Sequence, residues 1–546
     1  MKKLKFKSVV QLANTKLSVK TAAIILASSA LVSALLGLFR DRLLNSYYLG
    51  TYPTGIDAYT AAFTVPDFMF FILTSGALAV SFIPVFNQRL TVGNKKSAWE
   101  LSSSLLNLFA ILTMVTSVLI MIFADPLIRY IVSPGLDESG MILAINMTRV
   151  IAMNPFLFSL ATVLMSIQQA VGRFVFYAMA PTIYNVGIII GITCFTQGIN
   201  LFGVQVFEGG IMGVALGVIL GAVMQLIVAL IGLFGLGFDY EFKINWKNQG
   251  FRAILKLLPA RSLDQGMDYV SSIVTTNLSS RMGAGAVRSF DQATSLHTMP
   301  INLIGVAIST AFFPKLTEDL GKGNKKEFHN TFRKALRTII WIALPVSVIA
   351  FFGRGYVVSF VSNIGNNDSN SVMASILGTL VVAIFARSVF HIASRGFYAC
   401  QDTRTPFRVS IVAVGLTIGM SALAYFAGWG VDGLGIAQSV GALVEIIILL
   451  TILQRRSHGE ILNRDFWKAF ARMLIAAAIT GCVAFSMAKF VPLMATDNSL
   501  VITIPKFLLI SGVSIIAYIA ASYFLGLDEV MPVLNRIKQI LFRNTK

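Results

Sequence analysis

From its N-terminus onward, the chain breaks into long apolar runs joined by short polar links. The runs cover 19–40, 56–86, 98–124, 141–168, 173–197, 209–236, 251–282, 287–316, 332–361, 371–400, 405–428, 432–453, 467–491 and 500–526. About 20 apolar residues suffice to cross the hydrocarbon core as a helix. The pattern therefore predicts an all-α polytopic membrane protein with 14 transmembrane helices, numbered here as spans 1 to 14. Span 1 follows Lys2, Lys3, Lys5, Lys7, Lys16 and Lys20. It is too long for a secretory leader and runs into Gly37-Leu38-Phe39-Arg40-Asp41 without a cleavage site, so it is expected to be retained. Leu4, Phe6, Val9, Val10 and Leu12 interleave with the lysines, as an interfacial helix would require.

Landmarks recur about 230 residues apart. Ser81-Phe82-Ile83-Pro84-Val85-Phe86 ends span 2, and Ala311-Phe312-Phe313-Pro314-Lys315-Leu316 ends span 8. Pro66 and Pro300 interrupt the same two spans, and the link at Gly172-Arg173 answers that at Thr403-Arg404. Six spans per repeat keep both halves in one orientation, as in many alternating-access transporters. The expected organisation is an N-terminal lobe at 1–240, a C-terminal lobe at 241–456, and two appended helices with a basic tail at 457–546.

Composition agrees. The 546 residues are 56% hydrophobic and 13% charged, with mean hydropathy +0.76; soluble domains carry about 25% charge. With the N-terminus placed in the cytoplasm, about three quarters of the 44 Lys and Arg fall in or beside cytoplasmic segments, and both termini lie there. The densest such loop runs from Lys315 to Arg337. The net charge of +19 is thus topological, and no nucleic-acid partner is expected. Cys194, Cys400 and Cys482 show no metal spacing and predict no disulfide framework. No phosphate-binding loop or zinc-hydrolase motif is present, so neither an enzyme nor ATP-driven transport is expected and no cofactor is implied.

Intramembrane charges are the candidate chemistry, because each is costly at depth unless paired or hydrated. Arg387, His391 and Arg395 share one face of span 10; the first two suit an anionic substrate, while Arg395 either joins them or snorkels to the interface. Asp264 and Asp268 share a face of span 7 with Arg261 a turn earlier, and Glu445 lies near the middle of span 12. These carboxylates either hold Na⁺ or a proton, or are consumed by an Arg261–Asp264 pair and by capping of Glu445. Arg40 and Asp57 either pair as an outer gate or serve as interfacial anchors. Gly213, Gly217 and Gly221 on span 6, and Gly415 and Gly419 on span 11, read as packing faces. Trp99, Trp341 and Trp467 read as interfacial anchors.

Several stretches together resemble the MurJ (MviN) lipid II flippase family across nearly the whole chain. They are Ser33-Ala34-Leu35-Leu36-Gly37-Leu38-Phe39-Arg40-Asp41, Asp57-Ala58-Tyr59, Gly76-Ala77, Phe82-Ile83-Pro84 and Gly305-Val306-Ala307. The most specific is Gly396-Phe397-Tyr398-Ala399-Cys400-Gln401-Asp402-Thr403-Arg404-Thr405-Pro406. The resemblance implies a two-lobed fold shared with multidrug and polysaccharide exporters, in the bacterial cytoplasmic membrane. It implies transfer of an undecaprenyl-pyrophosphate-linked peptidoglycan precursor to the outer leaflet, with cavity arginines on the pyrophosphate, a groove by spans 13 and 14 for the lipid tail, and a cation site in the second lobe. Arg40, Asp41 and Asp57 match the family. Ala34, Phe70, Phe71, Ser75 and Thr294-Ser295 stand where it carries charge. A pyrophosphate in a low-dielectric cavity needs several kcal/mol of compensation. Either Arg149, Arg281, Arg288, Arg387 and His391 supply it, or the substrate differs. The competing readings are a lipid-linked oligosaccharide or drug exporter of the same fold, and a scaffold docking cell-wall synthesis enzymes on its basic loops.

Overall fold

The computed structural model describes residues 14, 19–75, 78–201, 204–362, 367–494, 497 and 499–541. Side chains are described there except at 19, 20, 23, 75, 78–81, 201, 204, 256–268, 367, 368, 537, 540 and 541. The lysine-rich segment 1–12 lies outside the described residues.

Among the described residues all fourteen predicted spans are helical, and the chain is a multi-pass membrane protein. Thirteen helices among the described residues are long and apolar enough to cross a bilayer; span 7 is a further helix of 32 residues. In chain order the helices are α1 (Val19–Tyr48), α2 (Pro53–Phe70), α3 (Leu78–Thr91), α4 (Lys95–Pro126), α5 (Glu138–Ile151), α6 (Asn154–Val171) and α7 (Val175–Thr193). A short hairpin, β1 (Ile199–Leu201) with β2 (Val204–Phe207), precedes α8 (Met212–Ile231). Then come α9 (Gln249–Ser280), α10 (Ala286–Ile301), α11 (Ala307–Gly321), α12 (Lys325–Phe352), α13 (Arg354–Ser359), α14 (Asn367–Ala399) and α15 (Arg404–Phe426). The chain closes with α16 (Gly430–Arg456), α17 (Arg464–Phe490), α18 (Leu500–Phe524) and α19 (Met531–Leu541).

Three π-helical turns occur among the described residues, each shortly after a proline. Phe71–Ser75 follows Pro66, Leu127–Val132 follows Pro126, and Asn302–Val306 follows Pro300. Proline lacks the N–H of the α pattern, and the wider π turn re-satisfies the freed carbonyls inside an apolar environment. The first and third turns occupy matching places in the two repeats. The repeat recurs in the loops. Gly-Asn-Lys-Lys stands at 93–96 and again at 323–326. Gly93 (φ +79°) and Gly323 (φ +72°) are both left-handed, and the next residue caps the following helix in both cases: Asn94 accepts from Ser97 N, Asn324 from Glu327 N. Only glycine adopts that backbone without strain, and an asparagine cap satisfies an orphan helix N–H.

By internal contacts the chain divides into two compact units, Met1–Val287 and Arg288–Lys546. The first is filled by Phe82, Phe86, Leu101, Leu105, Phe109 and Phe251, with a second cluster about Ala58, Ala61, Ile128 and Val132. The other unit packs Phe332, Leu336, Ile339, Phe397 and Leu449.

The glycine stripe of span 6 is a seam, and its partner is a stripe on α7. A Cβ on Gly187 would stand 2.2 Å from Gly221 Cα, and one on Gly217 2.5 Å from Gly191 Cα. The expectation for Gly415 and Gly419 fails: a Cβ at either meets nothing within 4 Å. Helices α15 and α16 approach through Thr417, whose hydroxyl leaves no room for a side chain at Gly441; positions 415 and 419 lie about 200° from that face. The tryptophans divide. Trp467 is exposed, whereas Trp99 packs on Phe86 and Phe238, and the buried Trp341 donates to Ser522 Oγ. A tryptophan near a helix end is drawn inward when a ring or hydroxyl is there to receive it.

Candidate functional site

In the first unit, Arg40 sits two-thirds along α1. Its Nε and Nη2 donate to Asp41 Oδ1 at 3.2 and 3.0 Å, and Nη1 donates to Asn185 Oδ1 on α7 at 3.0 Å. Asn185 is fixed in turn by donating to the carbonyls of Ser33 and Pro181. Asp57, in the second turn of α2, is 1% exposed and accepts from Gly285 N at 2.7 Å. Gly285 holds φ +83° to offer that N–H. The two residues of the expected gate thus have separate partners: Arg40 is set by α7, and Asp57 ties α2 to the turn before α10. Arg149 is exposed near the end of α5, 3.5 Å from Asn146 Oδ1. Arg281 is exposed at the C-cap of α9. Phe70 and Phe71 belong to an aromatic row: Tyr269 and Phe71 stand 4.6 Å apart, Phe70 and Phe158 5.6 Å, Phe158 and Tyr184 5.0 Å.

In the second unit, Arg387 Nη1 on α14 donates to Glu445 Oε2 on α16 at 3.2 Å, and Ser410 Oγ on α15 donates to Glu445 Oε1 at 2.6 Å. The carboxylate side chain is 2% exposed, the guanidinium 32%. One positive and one negative charge are therefore brought to the same depth with both carboxylate oxygens satisfied, which is what makes either tolerable there. His391 lies one turn on, where the π turn of α10 leans against α14; a Cβ on Gly305 would stand 2.7 Å from Ser388 Cα and 3.0 Å from His391 Cδ2. Arg395 donates to Ser309 Oγ and Thr310 Oγ1 on α11 and stacks on Phe313. The three residues that one helical face aligned are thus divided among three neighbours. Arg288, 4% exposed at the start of α10, is 3.5 Å from Asp291.

Asp264 and Asp268 lie on the backbone of α9 with side chains outside the described residues, as does that of Arg261. Among the described residues no group of three His, Cys, Asp or Glu side chains is placed to hold a metal ion. Asn185, Ser410 and the aromatic row escaped the sequence reading because neutral residues inside apolar runs carry no signal of pairing.

The link between α14 and α15 is tightly tied. Asp402 accepts from Thr405 N and Oγ1 and from Arg456 Nη1 at 3.0, 2.6 and 2.7 Å, and Arg456 lies over the Phe397 ring. Burial pushes the Asp402 carboxyl upward, but these hydrogen bonds outweigh it and hold the group down at about 2.

The family model described as Lipid II flippase MurJ matches residues 45–505. A probable lipid II flippase MurJ of Bdellovibrio bacteriovorus is 24% identical, over 93% of this chain and 95% of its own. A solved lipid II flippase MurJ in an inward closed conformation superposes with TM-score 0.70 at 20% identity, covering 96% of this chain and 99% of that one. An inward-facing multidrug resistance MATE family transporter of the MOP superfamily gives 0.66 at 19%, over 80% and 98%.

Proposed function

The chain belongs to the lipid II flippase MurJ family, and from that premise we propose that it carries lipid II, a polyprenyl-pyrophosphate-linked peptidoglycan precursor, from the inner to the outer leaflet. The observation that carries the reading is the family match over 45–505. The proposed setting is the bacterial cytoplasmic membrane with both termini inside. The proposed organisation is lobes at 1–240 and 241–456 with 457–546 appended.

Arg387 is the leading candidate for the pyrophosphate, with Arg40, Asp41, Asp57, Arg149, Arg281, Arg288 and His391 as the wider set. Its guanidinium is ion-paired on one side and part-exposed on the other. An arriving phosphate oxygen competes with Glu445 for it, and a displaced carboxylate takes up a proton or Na⁺ to remain tolerable at depth. Cation uptake is thereby linked to substrate binding through differential affinity for the two states. Asp264 and Asp268 are the further cation candidates. The test is rescue of a bacterium depleted of its own lipid II flippase, together with transfer of labelled lipid II in vesicles holding the purified chain. Growth rescue and transfer are expected; a chain that inserts, yet neither rescues nor transfers, overturns the reading.

A further inference from the structure

The second unit holds a cleft of about 350 Å³ between α12, α14 and α17, walled by Leu344, Val348, Phe352, Phe385, Phe470 and Leu474. Its walls are apolar carbon, and Val382 at its side is 42% exposed. In a membrane-spanning bundle such a surface takes hydrocarbon chains. Two further observations say which kind.

The first is charge at the rim. Arg354 lies over the Phe351 ring at 4.7 Å, Phe351 meets Phe352 at 5.2 Å, Phe352 meets Phe485 at 5.9 Å, and Lys489 lies over Phe485 at 4.5 Å. A row of three rings, two of them bordering the cleft, thus joins Arg354, the first residue of α13, to Lys489 in the last turn of α17. Cations at a helix end beside a hydrocarbon groove match an anionic headgroup. The second is a hydroxyl. Ser347 borders the cleft, is 6% exposed, and its Oγ has no hydrogen-bond partner among the described residues. A buried hydroxyl without a hydrogen bond is unfavourable; the Oγ does not open onto the cleft as it stands, and rotation about its single side-chain torsion is the step that a bound acceptor there would reward. Ser347 lies one helical turn, about 6 Å, below Phe351. In a glycerophospholipid the ester carbonyls lie just below the phosphate; a polyprenyl phosphate has no carbonyl there.

We propose that this cleft binds an ester-linked anionic glycerophospholipid, with its phosphate at Arg354 and Lys489, an ester carbonyl accepting from Ser347, and one acyl chain along the walls. The site is independent of the transport reading, because it needs neither Arg387 nor lipid II.

The full-length chain, delipidated in detergent, is offered four probes: diester phosphatidylglycerol, its diether counterpart, phosphatidylcholine and undecaprenyl phosphate. Retained lipid is counted by native mass spectrometry. Diester phosphatidylglycerol should be retained about fivefold better than the diether, the effect of one hydrogen bond, and about tenfold better than phosphatidylcholine. Ser347→Ala should bring the diester down to the diether, Arg354→Gln with Lys489→Gln should erase the preference over phosphatidylcholine, and Val382→Trp should weaken all retention. Equal retention of diester and diether by the parent chain, or displacement of the diester by equimolar undecaprenyl phosphate, overturns the proposal. Those two comparisons need no variant, so a substitution that fails to fold leaves the decision intact.

Discussion

Arg387 is one-third exposed while Glu445 is almost wholly buried, so truncating the two ends of their ion pair has unequal consequences. Arg387→Ala strands a buried carboxylate and should cost about 3–5 kcal/mol. Glu445→Ala leaves a part-hydrated guanidinium and should cost about 1–2 kcal/mol. Arg387→Met with Glu445→Leu should regain most of the loss while transport stays absent. Thermal unfolding in detergent gives the order, and equal losses from the single variants would contradict the burial asymmetry. Asp402 illustrates a different balance. Its lowered carboxyl contributes stability that is full above the unfolded value near 4 and lost as pH falls toward about 2. Asp402→Asn should therefore lower the melting temperature at pH 7 by the equivalent of about 1 kcal/mol, a figure reduced for its partial exposure. The gap to the parent should close between about pH 4 and 2; a gap independent of pH would assign the loss to the amide's shape.

Among the helices, identical residues have opposite meanings according to what faces them. Gly217→Ala places a methyl 2.5 Å from Gly191 Cα, so α7 and α8 must part, at a cost of about 1–3 kcal/mol. Gly415→Ala points into open space and should be neutral, or stabilising by up to about 1 kcal/mol through helix propensity. Folding yield and melting temperature in matched detergent separate the two, and similar behaviour would refute the assigned seam. Spacing of small residues on one helix could not make this distinction, because a seam requires a second stripe, and Gly187 and Gly191 supply it for only one of the two glycine stripes. The Gly-Asn-Lys-Lys repeat, by contrast, was fully present in the sequence and is the sharpest local mark of the duplication. Its meaning became plain from the matching left-handed glycines and asparagine caps.

For the whole molecule, the chemistry of the proposed cargo sets the energetics. A headgroup of charge about −2 leaving an inside-negative compartment gains about 4.6 kcal/mol per 100 mV. An imposed inside-negative potential should accelerate outward transfer of lipid II in vesicles, and reversing the potential should slow it. Transfer indifferent to potential would mean that the charge crosses neutralised by a co-bound cation, and the dependence would then move to the pH or Na⁺ gradient.

The sequence by itself determined the class of protein, the approximate limits of its helical spans, the recurring landmarks and the family, because each rests on local hydropathy or on contiguous motifs. The break points at Pro66 and Pro300 were legible for the same reason, since a missing N–H acts within its own helix. Tertiary structure alone decided the pairings: Arg387 with Glu445 and Ser410, Arg40 with Asn185, Asp57 with Gly285, and Arg395 with Ser309. A charged residue at depth announces that it needs a partner, but the partner's position depends on how distant helices rotate and pack. That rotation is fixed by close approaches such as Gly187 to Gly221 and Gly305 to Ser388, which no single span encodes.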